Sequence, residues 1–311
     1  MRQILTRLAL TLPVVWLVVS LVFLLIHLVP GDPILQMLGE GATPADTSAL
    51  RHQYFLDLPL PEQYLRYWTG VLHGDLGSSI RLNDTVFHLI SMRYPYTMAL
   101  TLTALAMGLL LALPAGILAA VYRGRGLDRL LSVVSLFGLS VPGLALGPVL
   151  ILIFSIDLGW LPVSGANSGG SNTIDWRYLV LPSIAMGASL AAILTRMVRT
   201  AMLEELGQDY IRTARAKGLS ETAVVCRHAL PNALVPIVTV VGLQFGALLA
   251  GAIVTETIFS WPGLGRLVVS AISNRDYALV QGCLLSIGLT YVLVNLLTDV
   301  VYRWVNPRMR G

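Results

Sequence analysis

Few residues in this 311-residue chain could do covalent or metal chemistry. Lys217 is the single lysine and stands between Ala216 and Gly218, so the chain lacks the Gly-Lys-Ser/Thr sequence of a phosphate-binding loop. Cys226 and Cys283 lie too far apart for a C-x-x-C motif, and no two of the five histidines have the spacing of a helical zinc site. A G-x-S-x-G nucleophile elbow is also absent. We therefore expect no catalytic residue and no resident metal or cofactor, which disfavours an enzyme.

The composition is that of a membrane protein. Hydrophobic residues make up 55% of the chain and charged residues only 12%, and the mean hydropathy is +0.73. A soluble domain carries about twice that charge. The net charge of +4 does not indicate a nucleic-acid partner, because the arginines are scattered among apolar runs and form no basic stripe. The lipid bilayer is the expected surroundings.

Six apolar stretches are long enough to cross a bilayer, since one spanning helix needs about 20 residues. They lie at 8–29, 96–122, 130–156, 178–198, 233–259 and 278–302. The first is too long for a signal peptide and has no cleavage site, so we interpret it as a retained helix. The sequence predicts an all-α membrane protein with one membrane domain over residues 1–311. Residues 32–95, which contain several aromatic side chains, form a small folded external insert.

The distribution of positive charge predicts the orientation. With six spans, one side of the membrane holds 14 arginine and lysine residues and the other side holds 7. Because positively charged connections stay in the cytoplasm, we expect both termini and the connection 199–231 to be cytoplasmic. The chain is then a multi-pass protein of the bacterial cytoplasmic membrane.

Polar residues in the fifth span are candidates for a pathway, because amide or charged groups in hydrocarbon need a partner or water. Small residues recur there every four positions and let another helix approach closely: Gly242, Gly246, Ala250. Gln244 and Glu256 lie off that row and could line a translocation pathway. An interhelical hydrogen bond for Gln244 and a structural cap for Glu256 remain open.

The connection 199–231 has the local signals of two short helices around a glycine. Asp209 can cap a helix over 210–217, and Gly218 can end it in a left-handed conformation. Ser220 can then start a second helix that stops at Pro231. Such an element is suited to dock in a groove of another protein. An ordinary positively charged loop is the alternative.

This connection resembles the coupling motif of binding-protein-dependent ABC importer permeases. In that motif E-A-A and three residues precede a glycine, and nine residues then precede I-x-L-P. Gly218, residues 219–227 and Pro231 reproduce the spacing, and Ala214 matches the second alanine. The sequence departs from the motif at three positions, Arg212, Thr213 and His228.

Further short motifs are similar to those of the peptide and nickel branch of that family and cover nearly the whole chain in order. They are PGDP (30–33), HGDLGSS (73–79), TARAKG (213–218), ETIFSWPGLGR (256–266), NRDY (274–277) and NPR (306–308). The resemblance implies a type I ABC importer permease fold with about six transmembrane helices.

The resemblance also implies partners and roles. Such a permease pairs with a second similar permease, two cytoplasmic ATPase subunits that bind ATP and Mg, and an external substrate-binding protein. The residues expected to couple to the ATPases are Tyr210, Arg212, Thr213, Ala214, Arg215, Lys217, Gly218, Leu230 and Pro231. The residues expected to face the binding protein are Trp261, Pro262, Gly263, Gly265 and Arg266. The external insert is expected to share that surface.

The implied function is import of dipeptides or short oligopeptides, with glutathione, nickel and metal chelates as variants in the same branch. The alternative is a secondary carrier or channel that acts alone on a small solute. A carrier favours ionisable residues at mid-membrane, whereas the acidic residues of these spans, Glu256 and Asp299, lie near the span ends.

Overall fold

A computed structural model describes residues 2–28, 34, 43–53, 55–79, 81–140, 143–167 and 173–305. These residues divide into two compact units. Unit 1 comprises Met1–Thr97 and Pro262–Val292, and unit 2 comprises Met98–Trp261 and Leu293–Gly311. The motifs PGDP (30–33) and NPR (306–308) lie outside the described residues, and so does the side chain of Asp299. The prediction of a single membrane domain stays a prediction.

Unit 1 holds the outer insert and the helices beside it. In chain order its elements are α1 (Arg2–Leu28), α2 (Pro44–Gln53), α3 (Leu60–His73), β1 (Ser78–Ser79), β2 (Asp84–Thr85), the start of α4 (Val86–Val121), α11 (Leu264–Ser273) and the start of α12 (Tyr277–Val305). The two strands form one antiparallel pair with Ser78 opposite Thr85. Helix α4 begins about ten residues before the predicted span, so it takes in the end of the predicted insert.

Unit 2 holds most of the apolar helices and the glycine-centred connection. Besides the remainders of α4 and α12 its elements are α5 (Gly126–Ser140), α6 (Gly143–Leu150), π1 (Ile151–Asp157), α7 (Trp176–Leu206), α8 (Asp209–Ala216), α9 (Glu221–Ala223), π2 (Val224–Ala229) and α10 (Leu230–Ile258). Elements π1 and π2 are wider π-helical turns.

The described elements confirm an all-α membrane protein. Within the described ranges, four helices are long and apolar enough to cross a bilayer: Val86–Val121, Trp176–Leu206, Glu221–Ile258 and Tyr277–Thr298. They match the second, fourth, fifth and sixth predicted spans. The first predicted span, 8–29, overlaps α1, whose described apolar part is the shorter segment Thr11–Leu24. The third, predicted at 130–156, is divided among α5, α6 and π1.

In unit 1, two of the family-like motifs meet. The buried hydroxyl of Ser79, in HGDLGSS, donates a hydrogen bond to the carboxylate of Asp276, in NRDY. The same carboxylate accepts the backbone N–H of Leu279 at 3.2 Å and so caps the start of α12. The hairpin is therefore fastened to the last helix, within unit 1. The external insert as a whole stays a prediction.

Candidate functional site

The connection 199–231 folds as a short amphipathic helix on the core of unit 2. Helix α8 begins at Asp209 after an extended Gln208, and no side-chain hydrogen bond caps it. The prediction that Asp209 is the cap is wrong by one residue, because Gln208 takes the extended capping conformation. Ile211 and Ala214, three residues apart, are buried in the same cluster as Val198. One face of α8 is thus fixed to the protein.

Gly218 ends α8 as predicted. Its φ of +80° is left-handed, and no atom lies within 4 Å of the place where a Cβ would be. The Gly218 N–H donates to the Arg215 carbonyl at 2.9 Å, and the Leu219 N–H donates to the Ala214 carbonyl at 3.4 Å. This pair of bonds is the Schellman arrangement, which satisfies the last carbonyls of a helix. Glycine is therefore favoured at this position by the left-handed backbone conformation and not by lack of space for a side chain.

The second half of the element differs from the prediction. Ser220 does start it, because its hydroxyl accepts the Ala223 N–H at 3.4 Å. The helix does not stop at Pro231, and Glu221–Ile258 continues as one long helix. The π turn Val224–Ala229 precedes the proline. Pro231 has no N–H and cannot donate a helical hydrogen bond, and such a wide turn accommodates the loss of that bond. Leu230 and Pro231 therefore lie inside a helix that joins the element directly to the membrane.

Two side-chain links hold the halves of the element together. Arg215 donates to both carboxylate oxygens of Glu221, at 2.7 and 3.2 Å. This contact holds the pKa of Glu221 below its usual range. The Tyr210 hydroxyl donates to Glu205 at 2.5 Å and accepts from the Asn232 amide at 2.9 Å. Helices α7, α8 and α10 are thereby tied around the glycine.

The outer face of α8 is exposed and positively charged. Arg212, Thr213 and Lys217 are exposed, and Tyr210 is exposed beside them. Arg212 contacts Asp209 at 3.4 Å, but both side chains are largely in solvent, so this pair is weak. We call this face, Tyr210 to Gly218 without Ile211 and Ala214, the coupling face. A rigid helix with one buried face and one free cationic face can dock on a partner.

A partly buried ion pair that sequence analysis missed joins the helix preceding this element to a neighbouring helix. Arg199 donates to both carboxylate oxygens of Asp128, at 2.7 and 2.9 Å, and so joins α7 to α5. Asp128 also accepts the Gly124 N–H at 2.8 Å. The Arg199 guanidinium and this N–H hold the pKa of Asp128 at about 2. The sequence does contain a signal for this ion pair, because Asp128 is the single acidic residue among Arg123, Arg125 and Arg129.

The two pathway candidates occupy different surroundings. Gln244 lines a cleft of about 260 Å³ in unit 2, together with Ser189 and Thr255. Glu256 is completely buried and is not among the residues that line this cleft. The lining of the cleft is mostly apolar, and its polar side chains are this one amide and these two hydroxyl groups. A pathway role stays a prediction for both residues.

The small residues of α10, which include Gly251 one position beyond the predicted row, lie in two different surroundings. A Cβ on Gly242 would overlap Thr298, so α10 and α12 touch closely there. Gly251 has open space where its Cβ would be and borders the cleft of Gln244. Close packing is therefore confirmed at Gly242, whereas Gly251 leaves room.

Most of the predicted binding-protein surface is buried. Trp261 has no exposed surface, and its backbone N–H donates to the Glu256 backbone carbonyl at 2.8 Å. Gly263 and Gly265 are buried as well, and Arg266 is exposed. The Leu264 N–H donates to the Thr97 hydroxyl at 2.7 Å inside unit 1. Pro262 is half-buried. A docking role for these residues stays a prediction, and Arg266 is the exposed member of the set.

The described part of the chain contains no group of three or more His, Cys, Asp or Glu side chains that could hold a metal ion.

Comparison with known proteins covers nearly the whole chain. The model of the family "Binding-protein-dependent transport system inner membrane component" matches residues 112–311. The model of the N-terminal part of such membrane components matches residues 1–101. The chain is 44% identical over 310 residues to the glutathione transport system permease protein GsiC of Salmonella typhimurium (strain LT2), covering 100% of this chain and 99% of that protein. For GsiC of Escherichia coli (strain K12) the identity is 42% with the same coverage.

Solved structures share the fold. An inward-facing structure of the MetNI methionine ABC transporter matches with a TM-score of 0.57 and 21% identity, over 70% of this chain and 96% of that chain. A crystal structure of an amino acid ABC transporter with histidines matches with a TM-score of 0.51 and 16% identity, over 71% of this chain and 94% of that chain. At these identities the likeness establishes the fold alone.

Proposed function

The chain belongs to the binding-protein-dependent transport system inner membrane components, and we propose that it forms half of a pore through which glutathione and short peptides are imported. As a member of this family it is a permease subunit of an ABC importer in the inner membrane. Because the chain belongs to this family, the alternative of a carrier or channel that acts alone is not supported.

The cargo proposal is supported by the whole-length similarity to permeases named for glutathione transport. Peptide bonds present amide donors and carbonyl acceptors, which the side chains of Ser189, Gln244 and Thr255 can meet. We expect the external binding protein to supply most of the selectivity.

The coupling proposal depends on the exposed coupling face. ATP and Mg would bind in separate ATPase subunits, and this chain would only receive their movement. Because Ile211 and Ala214 fasten α8 to the core of unit 2, a push on the coupling face would be transmitted through the continuous helix Glu221–Ile258. Rigid-body movement of the spans would then switch access to a central cavity.

The assembly we propose contains this permease, a second similar permease, two cytoplasmic ATPase subunits and an external binding protein. The excess of positive charge on one side of the spans supports cytoplasmic termini and a cytoplasmic coupling face. Arg266, the exposed residue of the outer segment, would meet the binding protein.

Substitution of Gly218 tests the proposal, since the position has open space around it but a left-handed φ. In Gly218→Asp, left-handed strain of about 1 kcal/mol or more would combine with a negative charge at the end of a helix and within the coupling face. We expect loss of ATPase subunits on gentle purification and loss of uptake of labelled glutathione, with unchanged membrane insertion.

Gly218→Asn is the matched control, because asparagine has nearly the shape of aspartate, tolerates a left-handed φ and adds no charge. We expect it to keep most of the ATPase association and uptake. Normal uptake in the Asp variant at normal expression would contradict the coupling proposal. Coupled uptake of another solute, but never of glutathione or a short peptide, would contradict the cargo proposal only.

A further inference from the structure

Helix α3, within the outer insert, has three distinct faces. The face of Tyr67 and Val71 packs with Val19 and Val22 of α1 in one hydrophobic cluster, and Tyr64 beside it contacts Phe23 of α1. A second face is polar and exposed: Glu62, Arg66, Thr69, His73. Between them lies a third face that is apolar yet exposed, with Leu65 at 66% and Leu72 at 74%. These two leucines are seven residues apart and so lie on one stripe.

The depth of α3 follows from its contacts with two membrane helices. The Gln281 amide, near the outer end of α12, donates to the Val22 carbonyl of α1 at 3.1 Å. Further in, a Cβ on Gly288 would lie 2.8 Å from Val18. The predicted outer ends of these antiparallel helices are therefore level with each other.

Helix α3 lies just inside those outer ends. The Tyr64 hydroxyl is 2.6 Å from the Ser20 hydroxyl of α1, and the Tyr64 ring packs edge-on against Phe23 at 5.3 Å. Beyond the other end of α3, Leu76 lies beside Gly282, one turn into α12. Ser20 and Phe23 lie five to eight residues before the end of α1 at Leu28, which is roughly 10 Å at 1.5 Å per residue. Both ends of α3 are thus at the depth of the outer interfacial zone.

We propose that α3 is an interfacial helix that lies along the outer leaflet, with Pro61, Leu65 and Leu72 in contact with lipid acyl chains. Protein covers its Tyr64 side, and water meets its Glu62 and Arg66 side. The apolar stripe between them points to the hydrocarbon, which is the arrangement of helices that lie in the plane of a membrane. The occupant is lipid because the stripe continues the apolar surface of α1 at the same depth, where Leu21 and Leu24 are also exposed. The proposal depends neither on the cargo nor on ATPase docking.

Spin labels on single cysteines test this placement in the full complex reconstituted in lipid nanodiscs. The background is Cys226→Ser, which removes the exposed thiol and keeps the buried Cys283. Labels are placed at Leu65 and Leu72, at Thr69 on the polar face, and at Leu12 of α1 as a span standard. The accessibility of each label to oxygen and to a water-soluble nickel complex is measured, and the unlabelled background checks that Cys283 does not react.

We expect Leu65 and Leu72 to show the high oxygen and low nickel accessibility of lipid, and Thr69 to show the reverse. High nickel accessibility at Leu65 and Leu72 would place the stripe in water and overturn the proposal. Low accessibility to both reagents would show that protein covers the stripe, as a docked binding protein or second permease would do, and would also overturn it.

Discussion

The connection at 209–231 and the outer segment at 256–266 have similar sequence signals but opposite environments. The first contains one glycine, three arginines and one proline, and the second contains two glycines, one arginine and one proline. In the first, Gly218 and the charged residues around it are exposed, and two apolar residues fix the helix to the core. In the second, Trp261, Gly263 and Gly265 are buried. A family-like motif can therefore lie on an exposed surface in one place and in a packed interior in another.

Because one segment is exposed and the other is buried, substitutions in the two segments test different properties. On the coupling face a change of side chain alters a surface while leaving the core intact. At Trp261 the same kind of change removes packing, so loss of transport there would not identify a docking residue. Comparing melting temperature with ATPase association separates these two kinds of effect.

The largest effect is expected for Trp261→Ala. Removing a large, completely buried aromatic side chain costs about 3–5 kcal/mol of folding free energy, so we expect a lower melting temperature in detergent and poor expression. Arg266→Ala is the control at the exposed end of the same segment and should melt like the parent. Equal melting of Trp261→Ala and the parent would show that this segment is a surface after all.

A smaller effect is expected for Asp128→Asn, which removes the charge that pairs with Arg199. We expect a loss of about 1–2 kcal/mol, since the pair has two hydrogen bonds but the guanidinium is partly in solvent. Asp175→Asn, at a half-buried helix cap that asparagine can also form, is the control for a change of charge alone.

The pH dependence has a defined sign. The folded-state pKa of Asp128 is about 2, below its unfolded value of about 4. Its contribution is therefore complete above pH 4 and is lost as the pH falls from about 4 to 2. Between pH 8 and 5 the difference in melting temperature between Asp128→Asn and the parent should stay constant. A difference that vanishes within that range would contradict the assigned ion pair.

The smallest effect on stability is expected on the coupling face itself. Lys217→Glu and Arg212→Glu change only exposed side chains, so melting should hardly move while ATPase association falls. Arg215→Glu should behave differently, because it also breaks the contact with Glu221. The double variant Arg215→Glu with Glu221→Arg should recover that internal contact. If none of these charge reversals changes ATPase association, the role of Arg212, Arg215 and Lys217 would be limited to setting the orientation of the chain in the membrane.

Local features of the fold could be predicted from the sequence. The left-handed Gly218 and the Ser220 cap depend on a few neighbouring residues, and both are present. The length of each apolar stretch identified the long spans, because it is also a property of neighbouring residues. The coupling face could be predicted as well, because buried Ile211 and exposed Arg212 follow from helical spacing.

Features that depend on distant residues could not be predicted. Pro231 indicated a helix end, but the π turn before it lets the helix continue. Asp128 and Arg199 are 71 positions apart, so no local pattern joins them. The burial of Trp261 is likewise set by tertiary packing, since its motif is compatible with a surface or an interior position.

Cross-linking from the coupling face tests the central claim most directly. A photo-reactive residue is introduced at exposed Thr213, and in a separate variant at exposed Arg266 as the control. The complex is irradiated in native membranes and the captured partners are identified by mass spectrometry. Capture of an ATPase subunit from position 213, and never from position 266, is the predicted result. Capture of no ATPase from position 213, or capture of one from position 266, would contradict the account.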